Sequence, residues 1–331
     1  MSSIAHVSIH ASQFPENIRR DLLASLRERQ LNHKFHYDSV KQTQKWLAVH
    51  QVYSPSRNDV DCAATYYRSF EKAAARMPAG PVHVIGLGCG GGQKDSSLLK
   101  LLRGGGREIF YTPCDVSTAM VLVARQTALS ALPEQNCFPL VCDLVSAADL
   151  PGVLAEHGPA EASRLITFFG MIPNFEPEMI LSQLAALVRP SDWLLFSANL
   201  APGADYLSGV RRVLPQYDNP PTRDWLMTIL LDLGIERSDG EMRFQIEADP
   251  AGTDLKRIMA SFHFTRGRRI QIEGDEVVFN QGDAVRLFYS YRYPPALVGG
   301  LLQRHGLEVV EQWITRSEEE GVFLVKRHSS V

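Results

Sequence analysis

The stretch with the most chemical promise is Val82-His83-Val84-Ile85-Gly86-Leu87-Gly88-Cys89-Gly90-Gly91-Gly92-Gln93-Lys94. An apolar run ends in five glycines, and Asp95 to Leu102 then has the spacing of a helix. A buried strand, a loop nearly bare of side chains and a helix start form a socket for a nucleotide-like ligand. Backbone without Cβ atoms can approach such a ligand closely. Gly86-x-Gly88-x-x-Gly91 formally satisfies a dinucleotide fingerprint, a weak signal alone. Two carboxylates follow at strand ends. Asp115, in Pro113-Cys114-Asp115-Val116-Ser117, can accept both hydroxyl hydrogens of a ribose; its other available role is capping the next helix beside Ser117. Asp143, in Val141-Cys142-Asp143-Leu144, can meet an adenine amino group or stand as a solvated loop acid. Together, beside one glycine loop, they point to a nucleoside.

Parallel strands must present these groups. The sequence predicts strands at 82–87, 108–114, 138–142, 164–169 and 192–199, with helices at 95–103, 117–130, 147–157 and 176–188. Short apolar strands alternating with such helices make an α/β chain with a doubly wound, Rossmann-like sheet, whose ligand sits beyond the strands' carboxyl ends. Helices are expected at Pro15 to Arg29, up to Val49, and at Asp59 to Arg76, with a turn at Tyr53-Ser54-Pro55-Ser56-Arg57. After Asn199 the alternation stops. A helix near 222–234 and two strand-like runs, 257–265 and 268–279, joined by a turn at Arg266-Gly267, read as an antiparallel insert. Val285 to Tyr291, a helix from Pro294 to Arg304, and a hairpin of Leu307 to Ile314 with Gly321 to Lys326 are expected to return to the core. The expected domains are a core (61–200 and 284–331) and a smaller α+β cap (1–60 and 201–283).

Bulk properties restrict the function. At 331 residues, 45% hydrophobic and 21% charged, with net charge −3, the chain gives no electrostatic reason to expect nucleic acid or an anionic membrane. Arg266-Gly267-Arg268-Arg269 is short, with Glu273, Asp275 and Glu276 after it, and reads as a solvated turn. The five cysteines show no CxxC or zinc-like spacing, and three lie in or beside buried strands, so reduced thiols and a cytoplasmic location are expected. No leader or membrane-spanning stretch is expected. Nothing forms a triad or a metal cluster; His33 and His36 lack companions and read as surface or pocket-edge residues. A small-molecule substrate and a monomer or weak homodimer are expected.

Two features turn the loop away from NAD. Gln93-Lys94-Asp95 puts charged side chains where a pyrophosphate would approach, and the chain closes in an antiparallel hairpin. Such a reversed final strand is the usual finish of S-adenosylmethionine (SAM) methyltransferases. The chain resembles the SAM-dependent histidine α-N-methyltransferase family of ergothioneine biosynthesis over most of its length. Lys34-Phe35-His36-Tyr37-Asp38 is similar to that family's K-[FW]-x-Y-D, and Tyr53 to Arg57 to its YY-x-T-R, with one extra residue. Leu87-Gly88-Cys89-Gly90 through Lys94 resembles L-G-S-G-x-x-x-K, and Asp115-Val116-Ser117 resembles D-V-S. Phe169 to Phe175 resembles G-S-x-x-G-N-[FL], Tyr217-Asp218 the Y-D pair, and Ser290 to Tyr293 N-S-x-K-[YF]. The resemblance implies that Gly88, Gly90, Lys94, Asp115, Asp143, Leu144 and Gly170 hold SAM, with S-adenosylhomocysteine (SAH) as product. It implies that Tyr37, Tyr53, Gly170, Asn174 and Tyr217 surround the amino and carboxylate groups of an amino acid, with Asn174 and Tyr37 nearest the chemistry.

The chain departs from that pattern in the acceptor region. In histidine-specific members a glutamate two residues before the matching serine holds the imidazole. Here Ser290 remains and that position is Phe288. A carboxylate facing an imidazole is worth roughly 1.5–3 kcal/mol, and phenylalanine cannot supply it. The expected acceptor is therefore the amino group of an amino acid or small amine with a more apolar side chain than histidine. Phe288, Tyr289 and Tyr291 are candidate lining residues, and core packing is the other role open to Phe288. Met171-Ile172-Pro173 replaces small polar residues before Asn174. The functional alternatives are a nucleotide-dependent oxidoreductase and a SAM-binding protein without turnover.

Overall fold

The computed structural model describes residues 4–54 and 58–328. The chain divides into two units: Met1–Gln13, Pro55–Leu200 and Tyr293–Val331 form the first, Phe14–Ser54 and Ala201–Arg292 the second.

The first unit is built on an eight-stranded sheet. Its strands are β1 (Ser8–Ile9), β2 (Val82–Leu87), β3 (Ile109–Asp115), β4 (Leu140–Val141), β5 (Ser163–Phe168), β6 (Trp193–Asn199), β12 (Leu307–Ile314) and β13 (Glu320–Arg327). Their spatial order is β1-β4-β3-β2-β5-β6-β13-β12. The first six run parallel, and β13 is antiparallel to both β6 and β12. Every residue of β2 is buried, as a central parallel strand covered on both faces requires. The chain winds outward from β2 in both directions, so the crevice at its carboxyl end lies where the order reverses. This is a Rossmann-like α/β core.

Helix Val60–Arg76 shows how one helix is fixed to that sheet. The Asp59 side chain accepts the backbone N–H groups of Asp61 and Cys62, capping its start. Cys62, Tyr66, Phe70 and Ala73 recur at helical spacing and are buried with Val82 and Val84 of β2. β4 is shorter than the expected strand 138–142, although Phe138 N–H and Cys142 N–H still donate to Tyr111 O and Asp115 O of β3.

In the second unit, β7 (Gly240–Ala248), β8 (Lys256–Phe264) and β11 (Ala284–Arg292) make an antiparallel sheet in the order β11-β8-β7. β9 (Arg268–Ile272) and β10 (Asp275–Phe279) form a separate hairpin. Helices Pro15–Arg27, Val40–Tyr53, Tyr206–Val213 and Pro220–Asp232 complete it.

Here the structure corrects the sequence reading. The run 268–279 is not one strand paired to 257–265: Glu273 (φ 47°) and Gly274 (φ 96°) turn it back on itself. The partners of β8 are β7, which the sequence reading left unassigned, and β11. β11 therefore belongs to the second unit, and the chain re-enters the first only at Tyr293. At the other end, β1 pairs with β4, which places the N-terminal residues in the first unit. Among the described residues no helix is long and apolar enough to cross a membrane.

Candidate active site

In the first unit the site begins at the glycine bend. Gly88 has φ +63°, a conformation that strains any residue with a Cβ, and a Cβ there would stand 2.4 Å from Met171 Sδ and force that side chain to move. Gly92 (φ +71°) opens helix Gln93–Gly104, and a Cβ there would meet Ala124 Cα at 2.8 Å. Asp95, in the first turn of that helix, is buried and accepts hydrogen bonds from Tyr111 Oη at 2.7 Å and Thr167 Oγ1 at 2.8 Å. Burial raises its carboxyl pKa above the ordinary range. Asp95 thus pins the helix start to β3 and β5; it does not face an incoming ligand as a solvated charge.

Asp115 is the last residue of β3. Its Oδ2 accepts Gly90 N–H and its Oδ1 accepts Ser117 N–H, both at 3.0 Å. The helix cap is Ser117, which accepts Met120 N–H at the start of helix Thr118–Ala128; Asp115 holds the Ser117 N–H and does not itself cap the helix. Each carboxylate oxygen has two lone pairs, so these bonds leave capacity for further donors. Burial raises the Asp115 pKa to about 6 against the three backbone N–H groups that favour the anion. Hydroxyl donors from a ribose would favour it further. Asp143 follows β4, is 9% exposed, and accepts Val145 N–H into Oδ1 at 3.0 Å; Leu144 beside it is buried. A bare backbone bend flanked by acceptors at the ends of β3 and β4 fits the nucleoside of SAM.

Lys94 lies on the same helix start. Its Nζ donates to Tyr66 Oη at 2.7 Å, approaches Glu320 Oε1 at 3.5 Å and sits 4.0 Å from the Tyr66 ring centroid. Tyr66 Oη also bonds Glu320 and, at 2.9 Å, Ser197 Oγ. Ser197 Oγ in turn accepts Gly170 N–H at 2.8 Å. The network ties Lys94 to the turn after β5, where Gly170 (φ +68°) leads into the short 3-10 turn Ile172–Asn174. Asn174, half-buried, ends that turn, and its N–H donates to Met171 O at 3.0 Å. Tyr66, Ser197 and Glu320 were not singled out in the sequence; they lie on three separate elements and form no local pattern.

In the second unit the expected acceptor residues converge around Trp225. Its ring lies 5.5 Å from Tyr37 and 6.0 Å from Phe288. Phe288 is 6.0 Å from Tyr217, whose Oη bonds Ser290 Oγ at 2.9 Å. Arg292, on the same strand, donates to Tyr217 Oη at 2.8 Å. Phe288 and Ser290 are two apart on β11 and share a face. Tyr289 and Tyr291 take the other face, against Arg257, and do not line the same surface as Phe288. Phe288 is only 6% exposed and also stacks on His33 at 5.0 Å. Tyr53 ends helix Val40–Tyr53 at 39% exposure; Pro55 to Arg57 lie outside the described residues.

Of the two histidines expected at the surface or a pocket edge, His36 is an interior group and His33 is half-buried. His36 is fully buried, its Nε2 donates to Leu287 O at 2.7 Å, and its carbonyl accepts Trp225 Nε1–H at 3.0 Å. Burial lowers its pKa to about 4 and also depresses that of His33, so both imidazoles are neutral at pH 7. They tie the turn His33–His36, and with it Tyr37, to β11 and Trp225.

The family model for the SAM-dependent histidine-specific methyltransferases matches residues 18–327. The chain is 22% identical over 278 residues to the N-methyltransferase imqF of Aspergillus flavus, covering 82% of this chain and 73% of that protein. Among solved structures it is similar to magnesium protoporphyrin IX methyltransferase from Synechocystis PCC 6803 with bound SAH, at 14% identity and TM-score 0.45 over 89% of this chain and 97% of that one. It is also similar to a SAM-dependent methyltransferase from Clostridium acetobutylicum, at 13% identity and TM-score 0.43 over 86% and 99% of the two chains. With the family match running almost from end to end, the chain belongs to the histidine-specific SAM-dependent methyltransferases and is itself a SAM-dependent methyltransferase with a class I, Rossmann-like core.

Proposed function

We propose that the protein methylates the amino nitrogen of an amino acid or related small amine whose side chain is more apolar than histidine's. The observation that carries this reading is the aromatic set Tyr37, Trp225, Phe288 and Tyr217, joined through Tyr217 to Ser290. Phenylalanine stands there in place of an imidazole-binding carboxylate. The Aspergillus relative is named as an N-methyltransferase, which supports nitrogen as the acceptor atom.

Methyl transfer from a sulfonium is an in-line displacement, and SAM supplies the electrophilic methyl group. The residues assigned to holding it are Gly88, Gly90, Asp115, Asp143 and Leu144, with Lys94 and Gly170. Asp115, as the anion, accepts ribose hydroxyls, and Asp143 accepts the exocyclic amine of the base. The acceptor nitrogen must carry a free lone pair, so an ammonium first gives its proton to solvent or a nearby base. Asn174 orients that nitrogen with its amide, and Tyr37, Tyr217 and Ser290 hold the amino-acid end. Alignment of nitrogen and methyl carbon at about 3 Å is the main contribution the protein makes, since fixed orientation alone can lower a barrier by ~7–11 kcal/mol.

A second reading concerns Phe288 alone. Its low exposure and its contacts with His33 and Trp225 fit a packing role, in which case side-chain selectivity falls to other residues. Kinetics over a series of amino acids separate the two: Phe288→Leu shifts the ranking of acceptors if the ring meets substrate, and scales all of them alike if it does not.

A further inference from the structure

Residues Ile4–Gln13 precede every recognised motif and belong to the first unit. β1 pairs Ser8 with Leu140 and Ile9 with Val141. Ser8 N–H donates to Pro139 O and His10 N–H to Val141 O, both at 2.9 Å. The arm thus runs along the sheet edge toward Asp143. Past the strand, Ser12 is 8% exposed and its Oγ accepts Asp143 N–H at 3.0 Å.

Hydrogen-bond polarity fixes the rest of this contact. Ser12 N–H can only donate, and it lies 3.0 Å from His10 Nδ1. Nδ1 is therefore the unprotonated nitrogen, and Nε2–H donates to Asp149 Oδ1 at 2.9 Å. Ser12 Oγ lies 2.9 Å from the same Nδ1, whose single lone pair the Ser12 N–H and O–H share, and the hydroxyl's own lone pairs face Asp143 N–H. A single orientation of the hydroxyl satisfies both neighbours.

We propose that Ser12, oriented by His10, is a positioning residue for the methyl donor: it fixes the backbone of Asp143 and so aims that carboxylate at the amino group of the nucleobase. This rests on the reading of Asp143 as the nucleobase acceptor. The arm is then part of the donor site, although the sequence reading grouped it with the substrate cap.

The test is calorimetric titration of wild type and Ser12→Ala with SAH and with adenosine. Both ligands carry the base, so both affinities are expected to fall by about tenfold, the effect of one good hydrogen bond. The acceptor KM at saturating SAM stays unchanged, and Ser12→Thr, which keeps the hydroxyl, binds as wild type. A folded Ser12→Ala protein that binds both ligands as wild type, even with a lowered melting temperature, overturns the proposal. Asp143→Ala separates the two claims. If it binds SAH normally, the reading of Asp143 fails; if it binds weakly while Ser12→Ala does not, only the positioning role fails. Should Ser12→Ala not fold, His10→Ala carries the same test, with a loss of about threefold expected for both ligands and wild-type binding again contradicting it.

Discussion

Asp115 is the residue whose chemistry is most exposed to experiment. Burial puts its pKa at about 6, above the ordinary 3.8, so the free protein bears a cost for the charged form. That cost is absent below about 3.8, grows as pH rises, and is complete above about 6. Donors from a bound ribose favour the anion, so binding releases a proton. SAH affinity should therefore fall by about tenfold per pH unit below about pH 6 and be flat above it. Asp115→Asn should bind weakly with no such break, and a wild-type affinity that is flat down to about pH 5 contradicts the assignment. Asn174→Ala should lose turnover while SAM binding persists; full activity in that variant removes Asn174 from the mechanism. Phe288→Ala should cost about 3 kcal/mol of stability, read by denaturant unfolding, because it empties a space closed by Trp225, Tyr217 and His33. Phe288→Glu would admit histidine only if the ring faces substrate. At this scale the sequence was most legible where the signal is local: the glycine bend at Gly88 and the strand-ending carboxylate Asp115 stand where the pattern put them. The burial of His36 was not, because the Leu287 carbonyl that accepts its Nε2–H lies 251 residues away.

At the scale of elements, two devices hold the donor end together: the strand-to-helix bend and the network below Gly170. Gly88→Ala forces a Cβ into the Met171 thioether at an unfavourable φ, and should abolish SAM binding while costing about 1–3 kcal/mol of stability. Tyr66→Phe removes the hydroxyl shared by Lys94, Glu320 and Ser197. Leaving a buried carboxylate without that donor should cost about 1–3 kcal/mol and raise the KM for SAM. A wild-type melting temperature and KM would show the network to be dispensable. β2, β3, β5 and β6 could be read from apolar runs because both faces of a parallel sheet are covered. β7 does carry a strand pattern, Met242, Phe244 and Ile246 alternating with Glu241, Arg243 and Gln245, which the sequence reading passed over; its pairing with β8 is a tertiary choice that periodicity does not encode.

For the whole molecule, an α/β core interrupted by an antiparallel segment was visible in the order of elements; the membership of β11 and of the N-terminal arm was not. Both depend on which edge a strand joins, and β11 joins β8 while β1 joins β4. SAH at a hundred times its Kd should stabilise the protein by about 2.7 kcal/mol, seen as a rise in melting temperature that Asp115→Asn abolishes. The central claim is that an amine nitrogen receives the methyl group. Its most direct test is incubation of the purified protein with methyl-labelled SAM and a mixture of amino acids and small amines, read by mass spectrometry. The account predicts SAH together with an acceptor carrying one or more labelled N-methyl groups, with apolar or aromatic amino acids ahead of histidine. Label on oxygen or carbon, or tight SAM binding with no methylated amine anywhere in the mixture, would contradict it.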